Sequence, residues 1–317
     1  MKIISIGEAL IDFAPYEKEG TYIKNFGGAP ANVAVVVSRL GMEAEFIGKV
    51  GMDQFGLYIQ EFFKREKVHI KERIATKRAN TTLSFVHLDA EGNRNFEFIR
   101  NPGADMFLEE KDIEEDFCNQ GDIVHFGSAQ LMIKSGRDTL EKAIRIAKKV
   151  GATISFDPNY RAAQWECERI ARKTILEYAE KADIIKISHE EARWLCENGN
   201  EKEAAEKIQS QCGKTVVMTC GGKGAYYTTE TFAGFVKGYP QRAVDTTGAG
   251  DVFWGTFLRF FIEKIKPEKS WAEGDFRKII EYSNAAGALC VREKGAITPE
   301  LTLKRILEFH DAHSKEI

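Results

Sequence analysis

Short apolar runs recur along the chain, separated by longer stretches in which apolar residues return every three or four positions. The first run, Lys2-Ile3-Ile4-Ser5-Ile6-Gly7-Glu8, ends in a glycine and suits a central parallel strand. Residues 26–41 read as a glycine loop, then a helix with small residues on its first turn and a C′ glycine at Gly41. A strand over 45–50 and a helix over 54–67 follow. Strands predicted over 122–126, 153–156, 183–187 and 215–219 alternate with helices, one near 134–150 and one opened by Ser188-His189-Glu190-Glu191. Two short β runs at 225–229 and 231–236 precede a buried helix from 252 through 261, and a small-residue helix covers 282–289. This alternation predicts an α/β body around a mostly parallel sheet.

One region breaks the texture. Residues 81–88 and 94–99 alternate apolar and polar and are joined by Asp89-Ala90-Glu91-Gly92-Asn93, a β-hairpin signal. Its aromatic stripe, Phe85, Phe96 and Phe98, needs something to cover. With the 13–26 segment the hairpin is expected to form a small sheet projecting from the body. The expected division is a body of 1–12, 31–78 and 105–317 and a β lid of 13–30 and 79–104. No internal repeat or long linker suggests further domains.

The chain has 317 residues, a net charge of −3 and 43% hydrophobic content, ordinary for a globular protein with a large core. That charge gives no global attraction to nucleic acid or anionic membrane. No apolar run approaches the ~20 residues that span a bilayer, and Met1-Lys2 leads straight into a strand pattern, so a cytoplasmic protein is expected. Six cysteines without C-x-x-C pairs read as reduced packing residues, and no Cys/His cluster has zinc-ligand spacing. His125, in an apolar strand pattern, reads as packed and hydrogen-bonded.

Candidate chemistry concentrates in Val244-Asp245-Thr246-Thr247-Gly248-Ala249-Gly250-Asp251. Small residues at 247–250 leave N–H groups uncovered at a helix start, where unpartnered donors and the dipole attract anions. Asp245 and Asp251 frame that site and repel a phosphate unless one takes a proton and another holds a cation. The combination points to phosphoryl transfer, with Asp251 as base for an attacking hydroxyl. An Asp that merely caps the helix is the other reading.

Elsewhere each candidate has two readings. Asp12 either bonds loop backbone or accepts from ligand hydroxyls. Gly27, Gly28 and Asn32 either let a ligand lie against backbone or mark close helix–sheet packing. Asn159 and Arg161 lie at a strand's carboxyl end, where ligands of open parallel sheets sit; a turn residue and a surface ion pair are the alternatives. Ser188 and Glu191 have capping-box spacing, which leaves room for a second role of Glu191 near a metal–phosphate complex. Small residues over 283–289 either make room for a planar base or mark tight packing. Gly248-Ala249-Gly250 does not complete G-x-G-x-x-G because position 253 is Phe. Gly222-Lys223-Gly224 is no Walker A, and no protein-kinase signature set is present.

Gly27-Gly28-Ala29-Pro30-Ala31-Asn32 and Asp245-Thr246-Thr247-Gly248-Ala249-Gly250-Asp251, in that order around a hairpin insertion, resemble the motifs of the ribokinase (PfkB-type) carbohydrate kinases. The likeness covers nearly all of the chain. Phe98-Ile99-Arg100-Asn101-Pro102-Gly103-Ala104-Asp105, His125-Phe126-Gly127-Ser128, and Asp157-Pro158-Asn159-Tyr160-Arg161 with Trp165 are similar to the fructokinases within it. The resemblance implies a doubly wound, mostly parallel sheet with helices on both faces, plus a small β lid. It implies transfer of phosphate from ATP to D-fructose, giving ADP and fructose 6-phosphate. 2-Keto-3-deoxygluconate kinase, ribokinase and a non-catalytic sugar or nucleotide sensor on the same scaffold are the alternatives.

By position, Asp251 matches the family's base, and Gly248, Ala249 and Gly250 its anion hole. Asp12, Gly27, Gly28, Asn32, Arg100, Asn159 and Arg161 are the implied sugar side. Thr219, Gly221, Gly224, Asn284 and Ala288 are the implied nucleotide side. Asp245 and Thr247 match a K⁺ site, and Glu191 an indirect contact to Mg²⁺. The family's N-x-x-E motif reads Ser188-His189-Glu190-Glu191 here, which argues against metal coordination through residue 188. The implied partners are a sugar, ATP, Mg²⁺, K⁺ and, through the lid, a second copy of the chain, with no nucleic acid and no membrane.

Overall fold

Ile3, Ile4, Ser5 and Ile6 are all buried, so the first strand has apolar surroundings on both faces, as a central parallel strand must. The computed structural model describes residues 1–16, 20–88, 94–196, 201–212, 215–264, 272–297 and 301–313. In chain order its strands are β1 (Ile3–Ile6), β2 (Leu10–Pro15), β3 (Tyr22–Gly27), β4 (Ala44–Ile47), β5 (Val50–Gly51), β6 (His69–Ile70), β7 (Ala75–Thr76), β8 (Leu83–Leu88), β9 (Arg94–Ile99) and β10 (Ile123–Gly127). They continue with β11 (Thr153–Asp157), β12 (Ile184–Ser188), β13 (Thr215–Thr219), β14 (Gly224–Thr228) and β15 (Ala233–Lys237). The helices are α1 (Ala29–Arg39), α2 (Gln54–Arg65), α3 (Lys134–Val150), α4 (Glu168–Ala179), α5 (His189–Cys196), α6 (Glu201–Cys212), α7 (Ala249–Phe261), α8 (Glu273–Cys290) and α9 (Leu303–His313).

Among the described residues, nine strands form one sheet in the order β15-β14-β13-β12-β11-β10-β1-β4-β6. It is parallel from β13 to β6 and antiparallel at the β13–β14–β15 edge. The chain moves to β4 and β6 on one side of β1 and to β10–β13 on the other. Crossovers that diverge in this way leave a crevice above the carboxyl ends of the strands.

Period-two alternation sends Ile4 and Ile6 to a core shared with α3, α4, α5 and α6, and Ile3 to a core shared with α1, α2, α7 and α8. The sheet is therefore doubly wound, as expected. Ser5, His125 and Ser155 stand side by side across β1, β10 and β11. His125 Nδ1 bonds Ser155 Oγ at 3.0 Å, and burial pulls the ring down to about 4, so it stays neutral. Trp254 Nε1 donates to the same Ser155 Oγ at 3.0 Å and pins α7 to the sheet.

A second, four-stranded sheet runs β3-β2-β8-β9. It begins earlier than the sequence pattern suggested. Leu10 and Ile11 look like the continuation of a core strand, but Ile11 pairs with Phe26 and Leu83. Asp12 therefore belongs to β2 of the small sheet and not to the body. The hairpin turn expected over 89–93 lies outside the described residues. α8 begins nine residues before the stretch read as a helix, because Glu273–Lys278 is too polar to show the apolar period. No helix among the described residues is long and apolar enough to cross a membrane.

Helix α7 crosses α1 closely because Gly255 has no side chain. A Cβ built there lies 2.8 Å from Val36 Cβ and 3.3 Å from the Val33 carbonyl oxygen. Replacing a helical glycine by alanine ordinarily gains up to ~1 kcal/mol, whereas overpacking a closed core costs ~1–3 kcal/mol. Gly255→Ala is predicted to destabilise by up to about 2 kcal/mol, the difference of these effects. Urea denaturation checks this, and a stabilised variant contradicts the tight crossing.

Candidate active site

Asp251 sits in the first turn of α7 and is 8% exposed. The helix has no side-chain cap; Gly248 takes the N-cap position with φ +74°, and a Cβ there would lie 2.5 Å from Ala296 Cβ. Position 248 thus requires glycine for both conformation and space. Asn32 of α1 donates from Nδ2 to Asp251 Oδ2 at 2.7 Å, across the close crossing. Burial pushes the Asp251 carboxyl up to about 6, against the lowering pull of Asn32, Lys186 and Arg161. It remains largely ionised at neutral pH yet is a stronger base than an exposed aspartate.

On one side of α7's first turn, a cavity of about 560 Å³ opens beneath the small sheet. Asp12, Gly28, Asn32, Arg100, Asn159, Arg161, Thr247, Gly248, Gly250 and Asp251 line it. Gly27 does not; it packs on Asp12, whose Oδ2 would lie 2.1 Å from an added Cβ. Asp12, Ser84 and Phe98 are register partners across β2, β8 and β9 and share one face. Phe96 and Phe98 line the cavity, but Phe85 does not belong to their stripe. Its register partner is Glu97, so it faces the other way and stacks on Phe13 with ring centroids 4.9 Å apart. The Arg161 guanidinium lies 5.7 Å from the Phe96 ring centroid and joins body to small sheet over the cavity. The Arg100 guanidinium is held by Asp105 and by the Ala129 carbonyl at 3.2 Å. Asn32 Oδ1 is buried and has no hydrogen-bond partner among the described residues.

On the other side lies a cavity of about 740 Å³, lined by Glu191, Thr219, Gly221, Gly224, Ala249, Gly250, Asn284 and Ala288. A Cβ added at Gly221 or Gly222 meets nothing within 4 Å, so bare backbone fronts open space. Asn284 donates from Nδ2 to the Lys237 carbonyl at 3.1 Å, tying α8 to β15. Glu191 is engaged as a cap: its oxygens accept from Ser188 N and Tyr160 N, both at 2.7 Å, and its own N–H donates to Ser188 Oγ at 3.1 Å. The reciprocal bond is the capping box that the spacing suggested. Asp245 lines neither cavity. Its two oxygens accept from Thr247 N at 2.7 Å and Gly295 N at 2.9 Å, which fixes the loop ahead of α7. No group of three or more His, Cys, Asp or Glu side chains among the described residues forms a metal cluster.

Two charged residues in these cavities escaped the sequence reading. Glu8 accepts from Ala29 N at 3.0 Å at the start of α1, its Oε2 is buried without a partner among the described residues, and burial pushes its carboxyl up to about 7. Lys186 lines both cavities and donates to Asp157 at 2.6 Å. The signal was a lysine inside the apolar run Ile184-Ile185-Lys186-Ile187, where a surface strand would alternate.

A carboxyl raised by burial carries a definite sign for stability. Between the unfolded value near ~3.9 and about 6 in the fold, the native state holds the extra proton, so stability falls as pH rises through that window. Asp251→Asn is therefore predicted to stabilise by about 1–3 kcal/mol above pH 7, a gain that vanishes below pH ~4. Urea midpoints at both pH values test this; a less stable variant at pH 7.5 contradicts it.

The pfkB family carbohydrate kinase model matches residues 1–303. Fructokinase-2 of Oryza sativa subsp. japonica is 38% identical over 303 residues, which are 93% of this chain and 89% of that one. The structure of fructokinase from Vibrio cholerae O395 in fructose-, ADP- and calcium-bound form superposes with a TM-score of 0.88 at 32% identity, covering 97% of this chain and 98% of that one. Aminoimidazole riboside kinase from Salmonella enterica, complexed with aminoimidazole riboside and an ATP analogue, gives a TM-score of 0.87 at 27% identity, covering 98% and 100%. With two cavities meeting at the first turn of α7 and a family match along nearly its whole length, the chain belongs to the pfkB family of carbohydrate kinases, phosphotransferases with an alcohol acceptor.

Proposed function

We propose that the protein is a fructokinase, transferring the γ-phosphoryl group of ATP to D-fructose to give ADP and fructose 6-phosphate. One observation carries this reading: Gly250, at the start of α7, lines both cavities, with Asp251 next to it on the small-sheet side. The sugar assignment is supported by the similarity to fructokinases. A sensor that only bound its ligands would have no use for a base of raised pKa at that junction.

Sugar in the 560 Å³ cavity is held by Asp12, Asn32 and the Gly28 backbone, with Asn159 and Arg161 at its edge. Asn32 Oδ1, which lacks a partner among the described residues, is an acceptor suited to a sugar hydroxyl. The nucleotide lies in the 740 Å³ cavity, with Gly221 and Gly224 against it and Asn284 and Ala288 bordering its base. Asp251 orients the acceptor hydroxyl and takes its proton as the new O–P bond forms. The bond from phosphorus to the bridging oxygen breaks, and ADP leaves with the electron pair. The amides of Gly248 and Gly250 receive charge on the migrating group, whereas that of Ala249, expected from the sequence to join them, donates to the Thr246 carbonyl at 3.3 Å; one such donor typically supplies ~3–4 kcal/mol of barrier lowering. Phe96 and Phe98 of the small sheet close over the sugar and exclude water, the competing nucleophile.

Mg²⁺, when bound with ATP, would neutralise part of the phosphate charge; Glu191, whose two oxygens each accept from a backbone amide, would contact it through water. K⁺, if bound beside the start of α7, would be held by Asp245 and Thr247 and would supply positive charge next to the migrating phosphoryl group; both Asp245 oxygens already accept from the amides of Thr247 and Gly295.

Coupled ADP-release assays over fructose, ribose, 2-keto-3-deoxygluconate and ribosides test the substrate. D-Fructose is expected to lead in kcat/KM by roughly tenfold or more, the effect of one well-placed hydrogen bond. Activity is expected to be higher in K⁺ than in tetramethylammonium, and kcat/KM to fall at least tenfold per unit below pH about 6 as Asp251, and Asp12 with it, takes a proton. Preference for another acceptor reassigns the sugar, and ATP turnover without dependence on any of them contradicts the kinase reading.

A further inference from the structure

Lys186 is the last charged residue of β12 before its carboxyl end, and its side chain is 7% exposed. It lines the cavity on each side of α7. A Cβ built on Gly250 lies 3.3 Å from Lys186 Nζ and 3.5 Å from Cε, so the ammonium stands against the backbone at the proposed anion hole. Arg161 also lines both cavities, but it is exposed and directed at Tyr160 O and the Phe96 ring.

The surroundings of Lys186 are acidic. Asp157, Glu191 and Asp251 all hold it above its ordinary value, outweighing burial, so it is fully protonated. Its one hydrogen bond among the described residues goes to Asp157 Oδ2 at 2.6 Å. An ammonium has three donors, which leaves N–H groups for a ligand at the junction. A buried ion pair is at best weakly favourable to the fold. Placed here, it offsets the repulsion between three carboxylates and an incoming phosphate.

We propose that Lys186 is a catalytic residue of the transfer, its ammonium donating to the phosphoryl oxygens as the group passes from the nucleotide cavity to the sugar cavity. Asp157 is its positioning residue. Lysine, a compact point charge on a flexible stem, can follow a group that moves, where a bidentate guanidinium would hold it in place. No proton or electron moves through Lys186; it stabilises charge while Asp251 takes the hydroxyl proton.

The proposal rests on the phosphoryl-transfer reading, and the test separates the two. Lys186→Met is expected to lower kcat by about 10²–10³-fold, as loss of an oxyanion donor does, with the fructose KM and the calorimetric affinity for MgADP within roughly fivefold. Aluminium fluoride added to MgADP and fructose, a mimic of the group in transit, should tighten nucleotide binding in the wild type and not in the variant. The double variant Lys186→Met/Asp157→Asn removes both buried charges, guards against misfolding from an unpaired Asp157, and should show the same losses at an unchanged melting temperature. A variant that keeps kcat within fivefold of the wild type, or retains the aluminium fluoride effect, overturns the role of Lys186. So does equal loss of MgADP binding and turnover in a folded variant. Absence of sugar-dependent ATP turnover in the wild type overturns instead the phosphoryl-transfer reading.

Discussion

The hydrogen bond from Asn32 to Asp251, 2.7 Å long, holds the site together. It spans two helices that approach closely only because Gly255 lets α7 lie on Val36. The bond fixes a buried carboxylate in the first turn of a helix. Trp254, bonded to Ser155 in the sheet, sets the rotation of α7. Asp251 is therefore placed by packing from both sides of one helix turn and not by a mobile loop, which is how a group comes to be held within fractions of an ångström of a reacting atom.

Charge is the second constraint. Asp12, Asp251 and Glu8 all surround the small-sheet cavity, and burial raises each of them, to about 6, 6 and 7. A cluster of acids suits a neutral polyol, whose hydroxyls donate to carboxylates, and is a poor place for a phosphate. The basic counterweights are Lys186 and Arg161, which line both cavities, and Arg100, which lines the first and is held by Asp105.

Much of this was legible in the chain. Parallel core strands announce themselves as short apolar runs because both faces are buried, and the glycines around 28 and 248 mark places where backbone must approach something closely. The capping box of Ser188 and Glu191 was readable from spacing, and the structure contains both of its bonds. Other features depend on tertiary pairing and leave no local trace. Leu10 and Ile11 are as apolar as β1, and only their partners in β3 and β8 assign them to the small sheet. Phe85 alternates correctly within its own strand, yet the β8–β9 register sets it opposite Glu97 and away from Phe96 and Phe98. Lys186 was hidden for the opposite reason: its strand is so apolar that one lysine reads as an interruption, until Asp157 in the next strand supplies the charge that keeps it buried.

In the proposed reaction the buried carboxylate at the start of α7 serves the chemical step and not the binding of either substrate. Asp251→Asn keeps size and hydrogen-bonding capacity toward Asn32 but accepts no proton. Calorimetric dissociation constants for fructose and MgADP, measured beside kcat in the same variant, test the claim most directly. Near-wild-type binding of both is expected, with kcat lowered by about 10²–10⁴-fold; a variant that turns over at close to the wild-type rate contradicts that role for Asp251.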